Sequence, residues 1–194
     1  DQSGLYTVEN LDPATNYKVW VRSVCDAPNG NGAWIGPVPF KTGCEKTEGF
    51  IETFNSTPIG LLPGCWSKIL RANSGILKPD ANVVVTETNV SNNTKSVALQ
   101  SRNSTGDFDV ILVSPRVSTL AAGSNYRLRF TSRYSNDNIE IGTLSSSTNT
   151  ATWTKFETVF FNDTGKQEEY FVDFSSYDGE DQFIGIRLPN DDSL

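Results

Sequence analysis

At 194 residues the chain has room for one large domain or two small ones. Its longest apolar run, Val110 to Val113, is far short of the ~20 residues of a membrane-spanning helix, which argues against membrane insertion. A net charge of −7, an isoelectric point near 4.6 and scattered basic residues would repel a phosphate backbone, so nucleic acid is not an expected partner.

The elements read as strands nearly throughout, and the fold class expected is all-β. Tyr17, Val19, Val21 and Ser23 alternate with Lys18, Trp20 and Arg22, the period of a half-buried strand. Tyr126, Leu128 and Phe130 alternate in the same way with Arg127, Arg129 and Thr131. Ile139 and Ile141, then Phe156, Val159 and Phe161, then Tyr170, Val172 and Phe174, and finally Phe183 to Leu188 supply further strands. Turn-forming clusters separate them, among them Asn29-Gly30-Asn31-Gly32, Asn162-Asp163-Thr164-Gly165 and Tyr177-Asp178-Gly179-Glu180. No stretch holds a 3.6-residue apolar period. Many short strands with polar turns predict a β-sandwich or jelly roll.

A boundary is expected near Thr42 to Thr47. Before it, Leu11, Pro13, Thr15 and Tyr17 precede the first alternating strand, and Trp34 to Thr42 form the returning one. Residues 1–43 resemble the last three strands of a fibronectin type III module, whose corner tyrosine bonds back to the chain just upstream. From Cys44 onward, Glu48-Gly49-Phe50-Ile51-Glu52-Thr53-Phe54, Pro63-Gly64-Cys65-Trp66 and Val113-Ser114-Pro115-Arg116-Val117 resemble the jelly-roll modules of the MAM-like and cleaved-adhesin families. This second resemblance covers residues 44–194. It implies an opening strand near Glu48 to Phe54 and a closing strand that the sequence does not contain. Neither His nor Met is present, and no basic-then-apolar leader stands at Asp1, so the chain reads as an internal piece of a longer polypeptide. The module order resembles that of type IX-secreted surface proteins of gliding bacteria. It implies an extracellular or cell-surface location, with neighbouring modules of the same polypeptide as contacts.

Three cysteines leave one without an internal partner. Cys25 ends one strand of a hairpin and Cys44 lies past the end of the returning strand, so they fall tens of ångströms apart at ~3.3 Å per residue. A disulfide needs Cα atoms within ~7 Å. The MAM-like resemblance implies a Cys44–Cys65 bridge, worth ~3 kcal/mol in the chain-entropy account. Three reduced, buried thiols are the alternative.

Chemistry is sparse. Without histidine, Ser-His-Asp and Cys-His catalysis and histidine-bearing zinc sites are excluded. Asp163-Thr164-Gly165 spells the aspartic-protease tripeptide, but those enzymes need two such aspartates and the sequence holds one copy; a hairpin turn is the expected reading. No enzyme activity is expected. The MAM-like resemblance implies structural Ca2+ held by an acidic residue of the opening strand, matched here by Glu52. Asp107 and Asp109 are the expected partners, with Asp178 and Asp181 behind them. The other reading is that these are solvated turn acids.

Trp20 shares the outward face of its strand with Lys18 and Arg22, with Trp34 across the hairpin. Exposed aromatic–cation surfaces suit glycan or protein binding, although such a tryptophan also packs against a neighbouring module. Asn55, Asn89, Asn92, Asn103 and Asn162 begin Asn-x-Ser/Thr sequons, in a composition already rich in those residues. The function expected is a non-catalytic pair of modules from a secreted or cell-surface adhesin, contacting a glycan or a surface protein. The alternative is an accessory carbohydrate-binding or spacer region of a secreted hydrolase.

Overall fold

The computed structural model describes residues 6–25, 30–87, 94–101, 104–118, 120, 125–133, 138–161 and 166–189. Every regular element among them is a strand, eleven in all, arranged in several antiparallel sheets, none of them closed, as in a β-sandwich. The chain divides into two compact units, Asp1–Glu45 and Lys46–Leu194.

The first unit is built on a hairpin of β1 (Asn16–Val21) and β2 (Ile35–Lys41). Cross-strand neighbours share a face, so Tyr17–Phe40, Val19–Val38 and Val21–Ile35 form one apolar row, with the Tyr17 and Phe40 rings stacked at 5.8 Å. One residue lies between Val19 and Val21 but two, Gly36 and Pro37, lie between Ile35 and Val38, so the bulge is on β2 opposite Trp20. Gly36 occupies it with φ 141°, and a Cβ there would meet the Val19 carbonyl at 2.7 Å and the Trp20 ring at 2.9 Å. Upstream, the Tyr17 hydroxyl accepts from the Asp12 N–H at 2.9 Å, and the Thr42 hydroxyl donates to the Asp12 carbonyl at 2.6 Å. These bonds tie the entry of β1 to the exit of β2.

In the second unit a five-stranded sheet runs in the order β3 (Ser67–Ala72), β6 (Phe108–Val113), β11 (Phe183–Arg187), β8 (Asn138–Leu144), β9 (Trp153–Phe160). Two separate ribbons cover its inner face. The pair β4 (Asn82–Glu87) and β5 (Lys95–Gln100) packs over Phe108, Val110 and Leu112. The pair β7 (Arg127–Arg133) and β10 (Gln167–Asp173) packs over Ile139, Ile141 and Ile184. Aromatic stacking fills this second half of the core: Phe156 lies 4.7 Å from Phe174, and Tyr177 meets both edge-on. The outer face carries a smaller cluster of Ile69, Ile111, Val113, Leu144 and Ala151. β6 is therefore apolar on both sides and buried along its whole length.

Two sequence expectations are corrected here. Residues 48–54 form no strand; Phe50 and Phe54 instead close edge-on against Trp66 at 5.2 and 5.6 Å, while Ile51 between them is 96% exposed. The side chains alternate as a strand's do, but among the described residues no ladder pairs with the segment. The connection holding Asp163-Thr164-Gly165 is not a hairpin loop, because β9 pairs with β8 while β10 pairs with β7 in another sheet. The tripeptide itself lies outside the described residues, as do the sequon asparagines other than Asn55.

Candidate functional site

The outward face of the first hairpin gathers the two tryptophans singled out from sequence. Trp20 projects from β1 over the Gly36 bulge and is 48% exposed, and Trp34 is 60% exposed. The Arg22 guanidinium lies 4.6 Å from the Trp34 ring centre, a cation–π contact that occupies one side of the indole. Lys18 and Lys41 stand on the same face, Lys18 opposite Pro39 and Lys41 opposite Asn16. Asn16, Tyr17, Lys18, Pro39, Phe40 and Lys41 line an open depression of about 370 Å³. Local sequence explains the presentation. The apolar row takes Tyr17, Val19 and Val21, itself largely exposed at Val21, Val38 and Ile35, so strict alternation sends Lys18, Trp20 and Arg22 to the opposite side.

The second unit holds a different constellation. On the outer face of its sheet, one ionised side chain from each strand forms a row in spatial order: Arg71 on β3, Asp109 on β6, Arg187 on β11, Glu140 on β8 and Lys155 on β9. The signs alternate. Asp109 Oδ2 accepts from Arg71 Nε at 2.9 Å and from Nη2 as well, and Asp109 is 1% exposed. Arg187 Nε lies 2.9 Å from Asp109 Oδ1, yet its N–H is not aimed at that oxygen, so this contact is coulombic rather than a directed hydrogen bond. The other Arg187 nitrogens donate to Glu140 at 3.1 Å, to the Phe108 carbonyl at 2.9 Å and to Asp107 at 3.3 Å. Arg71 also donates to the carbonyls of Asn149 and Ala151, fastening the 145–152 loop over the sheet.

This arrangement bears directly on the calcium expectation. Glu52, Asp107 and Asp109 do not come together: among the described residues no three acidic, cysteine or histidine side chains group to hold a metal. The Glu52 carboxylate accepts from the Phe54 N–H at 2.6 Å, and Asp109 is neutralised by two guanidiniums that would repel a cation. Asp181 accepts from the Thr143 hydroxyl at 2.8 Å, and Asp178 is exposed. The guanidiniums that engage Asp109, those of Arg71 and Arg187, lie 38 and 78 positions away in sequence and so escape a local reading.

Cys44 and Cys65, the two cysteines that the resemblance pairs, are disulfide-bonded, and Cys25 carries an exposed free thiol. Asp173 on the outer ribbon is held below the usual carboxylate range, chiefly by the Ser175 backbone N–H, then by the Ser175 hydroxyl and Arg127. Among the described residues no helix is long and apolar enough to cross a membrane. Compared with protein-family models, with curated proteins and with solved structures, the chain matches none.

Proposed function

We propose that this chain is a non-catalytic adhesion or display region of a secreted or cell-surface protein, and that its first unit contacts a glycan or surface protein through Trp20 and Trp34. One observation carries the reading: two large indoles are held out to solvent on one face of a hairpin and fixed there, Trp20 over a glycine bulge and Trp34 under an arginine. Pre-positioned, partly exposed tryptophans lose little freedom on binding and are enriched at binding hot spots. An oxidised cysteine pair fits an extracellular compartment. The Tyr17 hydroxyl bond to Asp12 supports the fibronectin type III resemblance of the first unit, and a sandwich of two layers supports the jelly-roll resemblance of the second. Calcium is left out of this proposal because Asp109 is already engaged by arginines.

The test is binding of the full chain to glycan and surface-protein arrays, beside a Trp20→Ala/Trp34→Ala variant. We expect wild-type binding that falls by about tenfold or more in the variant, with an unchanged melting temperature. Blank arrays with the wild-type chain would overturn the reading and leave a spacer.

A further inference from the structure

We infer that the ligand of this face is an anionic polysaccharide, one carrying carboxylate or sulfate groups; the inference rests on reading the Trp20–Trp34 face as a contact surface. The chain as a whole is acidic, with 23 Asp and Glu against 16 Lys and Arg. The hairpin reverses that balance. Lys18 and Lys41 are the charged residues of β1 and β2, and Arg22 follows directly after β1. Register and alternation bring all three to the outward face, with Trp20 and Trp34.

Several cations of the second unit are neutralised, although Lys68, Lys95 and Arg116 there bond amide and carbonyl oxygens instead of carboxylates. In the second unit Arg71, Arg127, Arg129, Lys155 and Arg187 each face a carboxylate within ion-pair distance. Lys18, Arg22 and Lys41 are exposed, and none of them pairs with a carboxylate among the described residues. Three cations on one strip, with no carboxylate paired to them among the described residues, make a local positive potential that selects an anion.

The aromatic component narrows the class. From Asn16 to Arg22 the strip runs roughly 20 Å at ~3.3 Å per residue, room for several sugar rings. Arg22 covers one side of the Trp34 indole and leaves the other open to the C–H face of a pyranose. Lys18 and Lys41 lie toward the far end, where a carboxylate or sulfate would sit. Nucleic acid fits less well. Duplex DNA bears one charge per ~1.7 Å, and its binders neutralise many phosphates, often about 6–10; three cations in a chain of net charge −7 do not supply that.

The experiment is calorimetric titration of the full chain with a polyuronate, a sulfated glycan, a neutral glucan of matched length and a single-stranded DNA oligomer. We expect binding to one or both anionic glycans, weakened about 20-fold between 50 and 200 mM salt, as the single-strand slope gives for about three ion contacts. Lys18→Glu/Lys41→Glu should abolish it without changing the melting temperature, since both side chains are solvent-exposed. Equal, salt-insensitive affinity for the neutral glucan would overturn this inference and keep the adhesion reading. DNA binding as tight as glycan binding would overturn it too, as would a tryptophan-dependent protein ligand with no glycan bound. Failure of every ligand class would overturn both readings.

Discussion

Asp109→Ala should destabilise the second unit by about 3–5 kcal/mol, read as a drop in the urea midpoint at unchanged slope. The magnitude follows from where the charge sits. Asp109 is buried between two guanidiniums, and removing it leaves Arg71 and Arg187 confronting each other across the space its carboxylate filled. Arg187 keeps Glu140 and Asp107 as counterions, whereas the contacts left to Arg71 are the carbonyls of Asn149 and Ala151. A second variant separates this cost from any benefit of the ion pairs themselves. Replacing Arg71, Asp109 and Arg187 together by methionine, leucine and methionine should be near neutral or stabilising, because it also removes the desolvation of all three charges. A loss below about 1 kcal/mol for the single variant would show that water reaches Asp109 freely and that the row is a surface feature.

Gly185→Ala should cost about 1–3 kcal/mol, although glycine within a strand is ordinarily a weakness that alanine repairs. Gly185 on β11 lies directly opposite Gly142 on β8, and the Trp153 indole is laid across the pair. A Cβ on Gly185 would come within 2.6 Å of the ring, 2.7 Å of Leu144 Cδ1 and 3.0 Å of Ile111 Cγ2. One added methyl therefore strikes three side chains of the outer cluster, all inside a close-packed region. Gly142 is tighter still, with the Thr154 carbonyl at 2.4 Å from its would-be Cβ. The check is a double-mutant cycle in urea: Trp153→Leu clears the ring from above Gly185, so the pair should be less costly than the two single changes summed. Strict additivity would mean that the indole is not what forbids the methyl group.

The sequence carried the strand content well wherever one face of a strand is wet. Alternation from Tyr17 to Ser23, Tyr126 to Thr131 and Tyr170 to Phe174 marks β1, β7 and β10, each half exposed. β3, β4 and β5 did not stand out. In β3, Arg71 is a polar side chain on a covered face, which breaks the pattern; in β4, Val83, Val84 and Val85 run together, which leaves no period to read. Pairing was less legible than content. Alternation gives the faces of a strand but not its neighbour, so the segment between β9 and β10 resembled a hairpin while joining two sheets. The same limit hid the charge row, because its five members come from five strands spread between positions 71 and 187. The Trp20–Trp34 face was legible because a single hairpin contains it.

The alternating row has a consequence for how the sheet excludes its competitors. Side chains change face at every residue, so sliding β6 by one position against β3 would turn Asp109 inward, into the cluster that holds Ala81 and Val83, and send Phe108, Val110 and Leu112 outward. Exchanging two adjacent strands would set like charges side by side. An apolar face tolerates several registers at similar energy, whereas a row of fixed sign tolerates one. The five ionised groups thus act as an address for each strand, penalising wrong assemblies more than they strengthen the right one.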